Sequence, residues 1–152
     1  MTITNYDERI IKVNQPVPGA PNNWRRFFGF NTDAKVIGIQ YIVTALIFLL
    51  LGGLLGMLIR GELITPPSDL FDPTVYNGLY TMHGTVMLFL FLFPILSGLT
   101  NLLVPPMIGA PDMAFPKLNA LAFWLVPVFS IVLLTSFFVP GGPASSGWWS
   151  YP

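Results

Sequence analysis

The chain has 152 residues, of which 53% are hydrophobic and 9% are charged, with no net charge at pH 7 and no cysteine. Soluble domains carry roughly a quarter charged residues, so this composition excludes a domain that faces water on all sides. The zero net charge gives no bulk attraction to nucleic acid, and the absence of cysteine excludes disulfides and thiolate metal sites. The chain is therefore predicted to be an integral membrane protein.

Three uncharged apolar segments predict three transmembrane helices. They cover residues 36–59, about 78–104 and about 120–139. Each reaches the ~20 residues that a helix needs to cross ~30 Å of hydrocarbon, and backbone groups in lipid must find their hydrogen bonds within the helix. The predicted fold is an all-α integral membrane domain over residues 32–152, preceded by a polar N-terminal tail over residues 1–31.

The placement of basic residues predicts the orientation in the membrane. Arg25, Arg26 and Lys35 precede the first apolar segment, and Lys117 lies between the second and the third. The loop between the first two segments is acidic instead. Because basic residues concentrate on the cytoplasmic side, the N-terminus and the loop of residues 105–119 are expected there.

His83, the one histidine of the sequence, lies about one turn inside the second segment, in "YTMHGTVMLFLFLFP". Imidazole is a good iron ligand, so His83 could be an axial ligand of a haem between helices. Gly84 beside it leaves room for a ring, and Met87 and Leu90 follow on the same helical face, where they could pack on that ring. The alternative is a histidine hydrogen-bonded to a neighbouring helix, although ionisable residues within a span are usually functional. One histidine cannot ligate both faces of a haem, so a second ligand is expected from a longer chain or another subunit.

The first segment offers further candidates near its end. Gly52 and Gly56 form a small-xxx-small pair, which predicts close helix packing and is also what a helix needs if a flat cofactor lies against it; neither interpretation excludes the other. Arg60 ends the segment. It is either an anchor at the membrane surface or a charge that donates hydrogen bonds to polar substituents of a cofactor.

Asp112 lies in an apolar, proline-rich loop, "PPMIGAPDMAFPKLN". One hypothesis is the mouth of a proton pathway, in which Asn101 and Asn119 hold water further in. The alternative is a turn-forming aspartate after Pro111, with Asn119 as the N-cap of the third helix.

Three motifs resemble subunit I of haem-copper oxidases of the cytochrome c oxidase type: "HGTVMLFLFLFP", "LVPPMIGAPDMAFPKLNALAFWLVP" and "GGPASSGWWSYP". The resemblance covers residues 32–152 and implies that the three helices are the first three of a twelve-helix bundle. The last motif, with its paired tryptophans, is similar to bacterial subunits, those of cyanobacteria included. That similarity implies a bacterial plasma membrane or a thylakoid membrane.

The resemblance also implies a site for a low-spin haem of a or b type. In this interpretation His83 is one axial ligand of the haem iron, and Arg60 contacts a haem substituent. Trp148 and Tyr151 are expected near the haem propionates. The second histidine ligand is expected in a later helix.

At the cytoplasmic side, the resemblance implies a proton channel that begins at Asp112 and is lined by Asn101 and Asn119. Members of the family often have a histidine before the first helix, where this chain has Ala34, which would change the surroundings of the channel mouth. Glu62 matches a residue near an outer cation site.

The activity that the resemblance implies is reduction of dioxygen to water at a high-spin haem and a copper ion, coupled to proton pumping. The ligands of that centre, and therefore any catalytic residues, are expected outside this chain. The implied partners are the remaining helices of subunit I, oxidase subunits II and III, a cytochrome c or quinol donor, and lipid. The alternatives are a three-helix assembly factor and a small haem protein in which two copies of His83 share one haem. Gln40, Thr44 and Asn101, which would need polar partners in a larger bundle, favour a fragment.

Overall fold

The computed structural model describes residues 24–64 and 70–150. In these ranges a 3-10 turn and three long helices follow one another: Arg25–Phe27, α1 (Ala34–Glu62), α2 (Pro73–Met107) and α3 (Pro116–Phe138). Each long helix is long and apolar enough to cross a membrane, and the described residues contain no strand. The prediction of an all-α membrane protein with three spans is therefore confirmed.

Helices α1 and α2 begin before the predicted apolar segments because polar caps start them earlier. The side chain of Asp33 accepts a hydrogen bond from the N–H of Lys35 and caps α1, and that of Asp72 accepts one from Thr74 and caps α2. Proline at the first position of α2 fits there because its missing N–H would have no helical partner. The end of the molecule where α1 stops and α2 begins is the His83 end, and the opposite end is the Asp112 end.

The middle of α2 is a π-helical segment, Val86–Leu92. Pro94 accounts for it, since proline has no N–H and its ring clashes with the carbonyl four residues earlier in an α-helix. The N–H of Phe93 instead donates to Leu88, one residue further back than in an α-helix. The 3.6-residue period does not hold through this wider turn. Leu90 is fully buried in the protein core. The prediction that it packs on a cofactor ring bound beside His83 is therefore wrong.

Two apolar clusters hold the helices together. Near the Asp112 end, the rings of Tyr41 and Phe123 pack edge to face at 5.1 Å between their centroids and join α1 to α3. The other cluster lies towards the His83 end and consists of six buried side chains: Phe48, Leu55, Leu79, Met82, Val86 and Leu90. Other apolar side chains remain largely exposed, such as Leu50 at 75%. Exposed leucines in the middle of a helix suit contact with lipid or with further membrane helices.

Helices α1 and α2 touch backbone to backbone at one crossing. A Cβ atom added to Gly98 would lie 2.9 Å from the carbonyl oxygen of Gly38 and 2.8 Å from Ile42. A Cβ atom on Gly38 would lie 3.0 Å from the carbonyl oxygen of Gly98. Small residues allow such close approach in membranes, where helix association depends on packing. This pair was not identified from the sequence.

Polar side chains within the helices find partners in the same chain. Gln40 is 5% exposed, and its Nε2 donates to the carbonyl oxygens of Phe27 and Gly29 at 2.9 and 3.2 Å. Its Oε1 has no hydrogen-bond partner among the described residues. Asn101 is hydrogen-bonded to α3. The expectation that these two side chains need partners from a larger bundle is therefore wrong for Asn101 and for the Gln40 amide nitrogen.

Candidate functional site

The imidazole of His83 is held by the backbone of the neighbouring helix. Its Nδ1 lies 2.8 Å from the carbonyl oxygen of Gly52 in α1. A carbonyl can only accept a hydrogen bond, so Nδ1 carries the proton and Nε2 keeps its lone pair. Metal-bound histidines commonly donate their other ring N–H to such a carbonyl, which fixes the orientation of the ring.

The second ring nitrogen of His83 is free to act as a ligand. Nε2 has no hydrogen-bond partner among the described residues, and the protein does not enclose it. Within residues 24–64 and 70–150, no three His, Asp or Glu side chains gather into a possible metal site. A lone open imidazole nitrogen therefore fits an axial ligand of a haem, whose ring supplies the remaining nitrogens, better than a metal held by side chains alone.

Gly52 and Gly56 make the space that His83 and its helix occupy. A Cβ atom on Gly56 would lie 3.1 Å from Cε1 of His83, and one on Gly52 would lie 2.6 Å from the sulfur of Met87. Close packing, one of the two interpretations of this pair, is thus confirmed. The carbonyl of Gly52 has the additional function of holding the imidazole, which the sequence pattern did not indicate.

Arg60 lies one turn beyond Gly56 on the same side of α1, about 6 Å further along the helix axis. Its side chain is exposed and makes no hydrogen bond with another described residue. This position suits a charge that meets polar substituents of a group bound at His83. The role of Arg60 stays a prediction.

The segment that follows α3 brings Trp148 against Gly84, the residue after His83. A Cβ atom on Gly84 would lie 3.6 Å from the indole Cδ1, which is ordinary van der Waals contact. The segment is fixed by the N–H of Gly147, which donates to Oγ1 of Thr81 at 2.9 Å. Thr81 was not among the residues predicted from the sequence. Tyr151 lies outside the described residues.

Asp112 is bound to the first residue of α1. Its Oδ1 accepts hydrogen bonds from the N–H of Ala34 at 3.0 Å and from that of Met113 at 2.7 Å. The carboxylate thus lies at the positive end of the α1 dipole. Ala34, where the family often has histidine, touches the proposed channel mouth directly through its backbone and is 2% exposed.

Asn101 and Asn119 form a pair between α2 and α3. Nδ2 of Asn119 donates to Oδ1 of Asn101, and Nδ2 of Asn101 donates to the carbonyl of Ser97 at 2.9 Å. Asn119 is not the N-cap of α3, because Pro116 starts that helix almost a turn earlier with Phe115 as the cap. The part of the alternative that made Asn119 an N-cap is therefore wrong. No hydrogen bond within the described residues joins Asp112 to this pair.

Glu62 is 4% exposed and its Oε2 accepts a hydrogen bond from the N–H of Phe71 at 3.0 Å. It lines a cavity of about 240 Å³ together with Tyr76 and Asn77. The cation site that the resemblance implies near Glu62 stays a prediction.

Comparisons with known proteins show the family to which the chain is similar. Residues 36–152 match the family model described as Cytochrome C and Quinol oxidase polypeptide I. Cytochrome c oxidase subunit 1 of Thermostichus vulcanus is 54% identical over 139 residues, which are 90% of this chain and 25% of that protein. Cytochrome c oxidase subunit 1 of Synechocystis sp. is 50% identical over 129 residues, which are 85% of this chain and 23% of that protein.

The putative cytochrome c oxidase subunit 1-beta of Streptomyces coelicolor is 49% identical over 120 residues, which are 79% of this chain and 21% of that protein. The chain thus spans about a quarter of the length of the relatives it matches. The resemblance to bacterial subunits, cyanobacterial ones included, is confirmed. The family match covers residues 36–152, well over half of the chain, and the chain therefore belongs to the cytochrome c and quinol oxidase polypeptide I family.

Proposed function

We propose that the chain is the N-terminal part of the catalytic subunit of a terminal respiratory oxidase, which reduces dioxygen to water and pumps protons. The observation that carries the proposal is His83, whose Nε2 is open while Gly52 fixes the ring on a membrane helix. Haem and copper are the cofactors that the family implies.

At the His83 end, the residues fit a low-spin haem. A haem bound there would supply reversible one-electron chemistry at its iron. His83 would ligate it through Nε2, while the Gly52 carbonyl keeps the proton on Nδ1 and makes the imidazole a stronger donor. Arg60 and Trp148 would lie at its edge, where a cation and an indole N–H can bind carboxylate or formyl substituents.

At the Asp112 end, the residues fit proton uptake. Asp112 would take protons from the cytoplasm, and the paired amides of Asn101 and Asn119 would hold the water that carries them inward. The 18 residues between His83 and Asn101 cover roughly 27 Å of helix. Electrons would thus enter near one membrane face and protons near the other, and the low dielectric between them strengthens the coupling of their charges.

The proposal places the oxygen-reducing centre in the rest of the subunit. The ligands of the high-spin haem and the copper, and the second ligand of the low-spin haem, would come from later helices. The partners would be those helices, oxidase subunits II and III, and an electron donor. The membrane would be a bacterial plasma membrane or a thylakoid membrane, with the N-terminus in the cytoplasm, as the basic residues around α1 indicate.

The electron donor is tested by oxygen uptake of the complex that contains the full subunit. We expect uptake with reduced cytochrome c and not with a reduced quinol, because relatives that are 50–54% identical to this chain are named cytochrome c oxidase. Uptake with quinol alone would assign the chain to the quinol branch of the family. A purified complex that consumes no oxygen with either donor would favour the alternative of an assembly factor or a small haem protein.

A further inference from the structure

The segment of residues 139–150 forms a strap that runs back from α3 over α2 at the His83 end. It contacts three residues of α2 that are spaced three apart and therefore share one helical face: Gly78, Thr81 and Gly84. A Cβ atom on Gly78 would lie 2.9 Å from Cγ of Pro143, and Trp148 covers Gly84. Both glycines let the strap approach the backbone of α2 closely.

Thr81 makes the hydrogen bond that joins the strap to α2. Its hydroxyl donates to the carbonyl of Asn77 at 2.8 Å and accepts from the N–H of Gly147 at 2.9 Å. Thr81 is 5% exposed, so its hydroxyl is shielded from water. Among the described residues, no other hydrogen bond links the strap to a helix. The anchor of the strap is thus one buried hydroxyl.

Thr81 acts on the neighbourhood of His83 through Trp148 and not by direct contact. Residues two apart on a helix point in different directions, so Thr81 does not face His83. Gly147 has a φ of +77°, in the left-handed region that favours glycine, and this turn directs Trp148 onto Gly84, the residue after His83. Fixing the Gly147 amide therefore fixes where the next residue, Trp148, lies.

We propose that Thr81 is a positioning residue: its hydroxyl holds the strap so that Trp148 stays on Gly84, the residue after His83, and lies at one side of the haem site. The proposal rests on the proposed function of His83 as haem ligand. It predicts that loss of the hydroxyl alters the haem environment without removing the haem, because Nε2 of His83 and the Gly52 carbonyl are untouched.

The test replaces Thr81 by valine, which keeps the shape and removes the oxygen, in the full subunit of the assembled complex. We expect hydrogen exchange of the amides of residues 147–150 to accelerate about tenfold, the factor that corresponds to the loss of one typical hydrogen bond. We also expect the low-spin haem band to shift in position at unchanged haem content. Thr81→Ala serves the same comparison if the valine variant does not assemble.

Thr85→Val is the matched control. The hydroxyl of Thr85 donates to the carbonyl of Thr81 at 2.8 Å, the same kind of bond one turn along α2, but it does not bind the strap. We expect this control and Thr81→Ser, which keeps the hydroxyl, to match the parent in both measurements. The anchoring role of Thr81 would be overturned if the amides of residues 147–150 exchanged at the parental rate in Thr81→Val. It would also be overturned if they exchanged as fast in Thr81→Ser as in Thr81→Val.

Hydrogen exchange of the strap and the position of the low-spin haem band together distinguish a failure of this proposal from a failure of the proposed haem ligand. Faster exchange of the strap with an unshifted haem band would refute the positioning role of Thr81. A low-spin band that survives removal of His83 would refute the haem ligand and leave the exchange result as evidence for the anchor alone.

Discussion

Replacing His83 by alanine in the full subunit is expected to abolish the low-spin haem band of the assembled oxidase. The reason is geometric, since the Gly52 carbonyl occupies Nδ1 and Nε2 is the atom that can bind iron. Alanine has no donor atom, and no other His, Asp or Glu of the described residues forms a group that could replace it. The measurement is the reduced-minus-oxidised visible spectrum of the purified complex, with the haem extracted and quantified in parallel.

The control for this variant is Thr85→Val on the same helix, half a turn away from His83. It should keep the band, since its hydroxyl bonds only within α2. We expect the high-spin haem to persist in His83→Ala if its ligands come from other helices. A His83→Ala complex with the low-spin band at parental intensity would show that His83 is a packing histidine and not a ligand.

Replacing Asp112 by asparagine should slow proton uptake by about a hundredfold, the low end of what a positioned proton-transfer group contributes. The amide keeps an oxygen that can accept the hydrogen bond from Ala34 at the start of α1, so the loop should keep its structure. It cannot take up and release a proton at neutral pH. The measurement is the rate of proton uptake and pumping by the reconstituted complex, with haem content as the check on assembly.

Asp33→Asn is the matched control for Asp112. Asp33 is the other carboxylate at the start of α1, where it caps the helix and pairs with Arg26 at 3.3 Å. Asparagine is an equally good cap, so this variant removes a charge from the same region and leaves the helix start intact. Proton uptake at the parental rate in Asp112→Asn, or an equal slowing in both variants, would contradict a specific role for Asp112.

The helices were predictable from the sequence because hydropathy is a local property. Three uncharged runs, each long enough to cross the hydrocarbon, require helices whatever their neighbours are. The details within α2 were not predictable in this way. The displacement of Leu90 into the core follows from the π-helical segment before Pro94, and a pattern read at 3.6 residues per turn misses such a segment.

The residue types of the candidate sites were predictable, but their partners were not. His83 and Gly52 are 31 residues apart in sequence, Thr81 and Gly147 are 66 apart, and Asp112 and Ala34 are 78 apart. Each of these contacts depends on how two segments pack, and each involves a backbone C=O or N–H group, which almost all residue types have. No composition or spacing rule identifies such a backbone partner.

Metal analysis of the native complex would show whether this chain is part of a haem-copper oxidase subunit. The complex is purified through a tag on the N-terminus of this chain, and its haem iron, copper and visible spectrum are measured. We expect a low-spin haem and a high-spin haem together with copper in the same complex. A complex that contains this chain and neither haem nor copper would contradict this expectation.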